Sequence, residues 1–384
     1  MSDQGMSDRA EAVRPLEGYR VVSLAEQYPG PFATMILGDL GADVVQVERP
    51  RGGDPSRVFP GHYAALNRGK RSVALDLKTP AGLEACRALI ARADVLVEGF
   101  RPGVLSRLGL SPAELTRDHP GLVVVSVSGF GQDGPYRDRP AHDLSFQAVT
   151  GLLDAEVPVV PPVALADVAA GLFAAIAALT GLAGRVASGH GGHYDVGMFD
   201  ALMSFVVTRL VPTANGMPAD TLGQDPGYGL FATADGRWIS LSIAFEDHFW
   251  RALCAELRLE TLADVPGPER AARRDEIRAA LSSRIAAEPL THWEQVLPSA
   301  GIAYGAVQDL ASLVAGPHLH GRGLLQTVGS RRYLRQPLVV NGTAPGPRTE
   351  VPRLGEHTEE VLREAGVPDA TGAAVLRAEL TRQY

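Results

Sequence analysis

Apolar residues in the N-terminal half follow two alternating rhythms. The short β-branched runs YRVVSLA, ADVVQVE, SVALDL, DVLVEGF and LVVVSVSGFG have the length and composition of strands. Between them lie PFATMILGDLG, TPAGLEACRALIARA and SPAELTRDHP, which read as helices, the second opened by Thr79 and the third by Ser111. Strand–helix–strand repetition of this kind predicts an α/β fold with a parallel, doubly wound sheet. Such a sheet binds ligands at the carboxyl ends of its strands. The segments to inspect are therefore AEQYPGP, ERPRGGDPSR, EGFRPGV and SGFGQDGPYRDRPAHD.

The character of the chain changes near Pro212. PTANGMPADTLGQDPGYG is rich in Pro, Gly and polar residues and reads as a linker, so the boundaries fall at 1–211, a linker over 212–228, and a smaller α/β unit over 229–325. FATADGRWISLSI predicts a hairpin turning at Asp235-Gly236. Helices are expected at His248–Leu257, Glu269–Ala287 and Leu290–Leu297. In the last segment, 326–384, LGEHTEEVLREAG is an amphipathic helix.

A chain of 384 residues with 45% hydrophobic residues buries a sizeable core and fits two domains. Its net charge of −8, without a long basic run, excludes nucleic acid as the main partner. Only Lys70 and Lys78 are lysines, so arginine carries most of the positive charge. Cys86 and Cys254 lie far apart, form no CxxC motif and fit a reducing cytoplasm. The first fourteen residues are polar and lack an apolar h-region, so no signal peptide is expected. The Ala-rich stretch from Val168 to Ala183 reads as a core helix, and no membrane span is expected.

Phosphate loops of the GxxxxGK[ST] type, a GxGxxG after the first strand and a GxSxG elbow are all missing, which disfavours nucleotide hydrolysis, nicotinamide chemistry and an α/β-hydrolase. HGGH, His190 to His193, reads as a turn rather than a metal site. Arg49, Arg51, Arg57, Arg68, Arg71 and Arg101 follow strands or Gly-Pro turns, and together would suit an anionic ligand such as a diphosphate. Two acid/base candidates stand out. Asp167 opens the apolar helix of VALADVAAGLFAAIAAL, either as its cap or as a reactive carboxylate. His142-Asp143 opens the helical run LSFQAVTGLL, with Asp143 as its expected cap. If the two helix starts converge, His142 and Asp167 form a two-base pair.

PGPFATMILGDLGADVVQVERPRGGD, LNRGKRSVALDLKTPAG, ADVLVEGFRPGVLSRLGL, VSVSGFGQDGPYRDRPAHD and LGEHTEEVL together resemble the class III CoA-transferase (CaiB/BaiF) family, in collinear order from about Leu16 to Gly366. That family includes the 2-methylacyl-CoA racemases, and the first strand–helix unit is most similar to that branch. The resemblance implies a Rossmann-like large domain built from both chain ends, so that 326–384 returns to it, with the small domain inserted between. It also implies an interlocked homodimer, a coenzyme A thioester as substrate, and no metal or redox cofactor. By the same resemblance Asp167 matches the catalytic aspartate, and His142, in A-H-D where the family pattern has G-H-D, matches the racemases' second base. Glu246 matches a racemase glutamate near that histidine, supplied by the partner's small domain. Arg101 matches a CoA contact; Tyr28, Pro29, Arg49 and Arg71 join it as candidate CoA-binding residues.

The resemblance supports three readings. Epimerisation of a 2-methylacyl-CoA is the first choice, because His142, Asp167 and Glu246 are all present and LGQDPGYG replaces the glycine-run loop of formyl-CoA transferase. Asp167 takes the α-proton, His142 returns one, and N–H groups at a helix start hold the enolate oxygen. The alternative is CoA transfer to a carboxylic acid through an Asp167 anhydride and an aspartyl-CoA thioester. A third is an acyl-CoA-binding protein without turnover.

Overall fold

The computed structural model describes residues 14–153, 156–218, 222–244 and 246–382. Six strands, β1 (Arg20–Ser23), β2 (Asp43–Glu48), β3 (Arg71–Ala74), β4 (Val95–Glu98), β5 (Val123–Ser128) and β6 (Gly192–Gly197), form one sheet in the order β3-β2-β1-β4-β5-β6. Every neighbouring pair is parallel. Helices of this half include α1 (Pro29–Asp39), α2 (Pro60–Asn67), α3 (Pro80–Ile90), α4 (Val104–Arg107), α5 (Pro112–Asp118), α6 (Asp143–Val149) and α7 (Leu165–Ser188). The first five strands are those the β-branched runs predict. The sixth is not: it begins inside HGGH, which reads as a turn in the sequence, and pairs with β5 from Gly192 onward.

Both faces of the sheet are covered, which is why its strands read as unbroken apolar runs. Val21, Val97, Val123 and Val125 face one core with α1 and α7. Val22, Val45, Leu96 and Val124 face the other with α3 and the C-terminal helix Thr358–Glu364. That helix is tied to β3: Ala74 N–H donates to Thr358 Oγ1 at 3.1 Å, and His357 N–H to Ser72 O at 2.9 Å. Thr79 caps α3 as expected, accepting from Gly82 N–H at 3.1 Å.

Residues up to Val207 together with those from His320 form one compact unit, and Thr208–Leu319 form another. The linker reading over 212–228 includes 219–221, which lie outside the described residues. The second unit holds an antiparallel sheet of β7 (Tyr228–Ala232), β8 (Trp238–Ser242) and β9 (Tyr304–Ala306). Its hairpin turns at Asp235-Gly236, closed by Thr233 N–H to Arg237 O at 2.9 Å. The helix expected over Glu269–Ala287 is two, Gly267–Ala272 and Arg274–Ile285. Phe231, Ile239, Trp250, Ile277 and Trp293 fill its core.

Helix α7 decides the geometry of the first unit. Its length and apolar composition would let it cross a membrane, but half of its most apolar stretch is buried within the fold. Small residues, Ala166, Ala169, Ala170, Ala174 and Ala178, bring it close to α1 and the sheet. Gly171 is the tightest point against α1. A methyl group there would lie 2.7 Å from Phe32 Cδ1 and 2.9 Å from Pro29 O. Gly184 of the same helix has nothing within 4 Å of that position.

These two glycines make a paired prediction. Gly184→Ala gains helix propensity and should stabilise the fold by up to about 1 kcal/mol. Gly171→Ala gains the same propensity but meets a main-chain carbonyl, and overpacking of about 1–3 kcal/mol outweighs it. Urea denaturation should show midpoints moving in opposite directions; parallel shifts would remove the close approach as a constraint.

Candidate active site

The sheet order reverses between β1 and β4, so a crevice opens at the carboxyl ends of those strands. A cavity of about 510 Å³ lies there, lined by residues following β1, β4 and β5. Tyr28, Pro29, Arg101, His142 and Asp167 all face it. The two helix starts singled out in the sequence therefore do converge.

Asp167 is the third residue of α7, and the cap position is Ala164, which has no capping group. The cap comes from elsewhere. Asp143 Oδ1 accepts from Ala166 N–H at 2.7 Å and Asp167 N–H at 3.2 Å. Asp143 thus does not cap its own helix α6, where it is the first residue; it caps α7 across the gap. With the cap supplied by Asp143, the Asp167 side chain is left to face the cavity. The N–H groups of Ala166 and Asp167 thus already have an acceptor in Asp143.

Burial pushes the Asp167 carboxyl up to about 7, and the Asp143 charge beside it adds to the shift. The helix N-terminus favours the carboxylate, but it is outweighed. Tyr28 is raised above its ordinary value by burial and by the same two carboxylates. Its ring meets Phe32 and His62 edge-on, with centroids 6.0 and 5.3 Å away. The preceding residue, Gln27, is left-handed at φ 69°. Its N–H donates to the buried Asp54 carboxylate at 3.0 Å. Asp54 in turn receives Ser56 N–H and Oγ–H, each at 2.7 Å. His142 is exposed at the head of α6 and makes no capping bond there.

The arginines divide into two groups. Arg101, Arg107, Arg137 and Arg139 line the cavity. The last three lie in EGFRPGVLSR and PYRDRPAHD but are not singled out in the sequence. Arg139 stacks on Tyr136 at 5.1 Å, and that RDR run beside an aromatic residue is the signal available. Arg49 lies in an adjoining cavity of about 600 Å³, with apolar walls from Leu75, Leu77 and Phe100 and with Arg51 and Lys78 also present. Arg49 pairs with Glu26 at 3.2 Å, and Glu26 and Phe100 line both cavities.

Arg71 is a correction. It is the first residue of β3, at the amino end of the sheet, and it is saturated with carboxylates. Asp43 accepts from it at 2.6 and 3.0 Å, Glu364 at 2.9 Å and Glu360 at 3.3 Å. It is a structural tie between the sheet and the C-terminal helix, not a ligand contact. Arg57 and Arg68 are engaged likewise, with Glu48 at 2.6 Å and Asp39 at 2.7 Å. Glu246 belongs to the second unit, where its Oε2 accepts from Ala244 N–H at 3.2 Å. Among the described residues no group of three or more His, Cys, Asp or Glu side chains could hold a metal. His193 instead shares a 2.9 Å hydrogen bond with Ser126 Oγ.

A further cavity of about 500 Å³ shares Gln27 and Tyr28 with the first and is lined also by Ser56, Phe59 and His62. Asp167 lines it as well. The reactive candidate therefore borders both an arginine-rich space and an aromatic one.

Known proteins share both the sequence and the fold. The chain is 32% identical over 379 residues to an acetyl-CoA:oxalate CoA-transferase of Acetobacter aceti, covering 93% of this chain and 97% of that one. It is 31% identical to the human succinyl-CoA:glutarate CoA-transferase, covering 92% and 86%. A crystal structure of a CaiB/BaiF family protein from Brucella suis superposes with a TM-score of 0.82 at 29% identity, covering 92% of this chain and all of that one. Residues 16–358 match the model of CoA-transferase family III, and this protein is an enzyme that belongs to that family.

Proposed function

We propose that the protein transfers coenzyme A from an acyl-CoA to a carboxylic acid, with Asp167 as the nucleophile. The observation that carries this reading is that Asp167 lines two adjoining cavities. The arginine-lined side suits the phosphates and pantetheine arm of CoA. The adjoining cavity with Arg49, Arg51 and Lys78 extends that side and suits the nucleotide end. The aromatic side has room for an acyl group or an incoming acid. The relatives named above support transfer over the epimerisation favoured by the sequence resemblance alone.

The proposed chemistry needs only the chain's own carboxylate. Asp167 attacks the thioester carbonyl, the C–S bond breaks, and CoA leaves as its thiolate, giving an acyl-aspartyl anhydride. The thiolate then attacks the aspartyl carbonyl, forming an aspartyl-CoA thioester and releasing the first acid. The acceptor carboxylate and the thiolate repeat the two steps in reverse order, which regenerates Asp167. No proton enters or leaves, so the cycle calls for no general acid and no metal or redox cofactor.

Epimerisation remains a second reading because His142 and Asp167 line the same cavity. In that reading His142 is a base, whereas in transfer it is a polar wall.

A homodimer is part of the proposal. Leu172, Phe173 and Ile176 form an exposed apolar stripe on α7, with Ile176 at 52%. The preceding segment exposes Val157, Val159 and Val160 as well. Contiguous apolar surface of this kind marks a protein interface. The family resemblance supplies the occupant, a second copy interlocked with the first.

Four outcomes are expected. Acyl-CoA incubated with acceptor acids should give new acyl-CoA, and hydroxylamine should trap an acyl group on Asp167. Asp167→Asn should lose about a thousandfold or more in kcat, while His142→Ala loses under about tenfold. Deuterium uptake at the α-carbon in D₂O without an acceptor, lost in His142→Ala, would instead establish epimerisation. In the pH profile, kcat/KM should climb through the ionisation of Asp167 near 7 and fall about tenfold per unit below it, because the carboxylate is the attacking form. Light scattering should give a dimer at micromolar concentration, and Ile176→Glu should disrupt it; a wild-type monomer over that range would refute the assembly.

A further inference from the structure

Asp143 caps a helix that is not its own, and a neutral residue could have done so. Serine or asparagine at the same place would satisfy main-chain donors equally well. The carboxylate brings a charge in addition. It is fixed from both sides: Oδ1 receives the N–H groups of Ala166 and Asp167, and Oδ2 receives Gln147 Nε2 at 2.5 Å. Gln147 is 1% exposed and also donates to Val163 O at 3.4 Å, just before α7. Its Oε1 is buried with no partner, so the amide has been turned to serve Asp143. A network in which one buried acceptor goes unmet is costly and is kept where geometry matters.

We propose that Asp143 is the positioning residue for the reacting carboxylate, holding the main chain of Asp167 in place and setting a like charge beside its side chain. The proposal rests on the reading of Asp167 as the reacting group. Physically, a neighbouring negative charge disfavours the ionised Asp167 and favours any step in which that charge is lost. Attack on a thioester is such a step: the negative charge passes from Asp167 to the departing CoA thiolate. A more basic carboxylate is also the stronger nucleophile.

The ionisable groups sharing the two cavities with Asp167 come from several elements. Glu26 and Tyr28 precede α1, and His62 belongs to α2. His142 and Asp143 open α6, and Arg101, Arg107, Arg137, Asp138 and Arg139 come from α4 and the loops after β4 and β5. Burial and Asp143 dominate the balance at Asp167.

Asp143→Asn tests this, since it keeps an oxygen acceptor and removes the charge. The ionisation of Asp167 is read by carbon-13 NMR of labelled aspartate carboxyls, its resonance identified with Asp167→Asn. In Asp143→Asn that ionisation should move down by about one pH unit, and the acid limb of kcat/KM should move with it. The plateau kcat should fall by about tenfold with KM for acyl-CoA nearly unchanged. Asp143→Glu, which keeps the charge at a longer reach, should retain the high ionisation and lose rate; it also serves if the asparagine variant does not fold. An Asp167 ionisation unchanged in Asp143→Asn, or lowered in Asp143→Glu as well, overturns the proposal. The titration needs no turnover, so absence of CoA transfer by the wild type is a separate result and counts against the transfer reading alone.

Discussion

The close approach of α7 to α1 and to the sheet is the constraint on which the site depends. Large side chains would hold two helices about 8–10 Å apart. Here alanines and Gly171 bring the α7 backbone against Phe32 and the carbonyl of Pro29. Gly181 does the same further along, where a methyl group would lie 2.5 Å from Val123 Cγ1 of β5. The head of α7 is thereby fixed against the head of α1, and Asp167 against Tyr28. A helix this apolar on its core side has few ways to slide, since its small residues match particular bumps.

The opposite wall is held by charge rather than by packing. Glu48, at the end of β2, receives Arg57, Ser72 and the N–H of Asp54. Asp54 then holds Gln27 in its left-handed turn. Lys70 lies fully buried nearby, donating to Pro31 O at 3.0 Å and Asn67 Oδ1 at 2.8 Å, and burial lowers its ammonium to about 7. Pro31 belongs to the first turn of α1, so this lysine reaches the same helix head from behind. Buried charges of this kind add little net stability, but removing one partner leaves another uncompensated. They fix the loop between β1 and α1 in one conformation, which a site built on backbone and a ring edge requires.

Much of this was legible in the sequence. β-branched runs gave five of six strands, since burial on both faces leaves no other composition open to them. The sixth escaped because GHYDVG is short, polar and glycine-led, and is held as a strand by pairing with β5 rather than by its own propensity. Asp167 and His142 were visible as helix-start residues, and Arg101 as a strand-end arginine. Arg71 was misplaced because a charge next to a strand reads the same at either end; only the register, which sets it beside Asp43, distinguishes them. Glu246 carries no comparable signal in the first unit, since it belongs to the second.

The division of labour between Asp143 and Asp167 could not be read from the sequence, and the reason is general. Each aspartate opens a helix, and local rules assign each to its own cap. Both assignments are wrong for the same cause. The two helix starts meet, so the orphan N–H groups of one become the nearest partners of the other's carboxylate. Once Asp143 has taken them, Asp167 loses the hydrogen bonds that would lower its pKa and keeps only burial and a like charge. A residue that would have been an ordinary low-pKa cap becomes a carboxylate poised near neutrality. The environment of this carboxylate, and with it the nucleophilicity the proposed function asks of it, is therefore set by where another helix begins, twenty-four residues away in the chain.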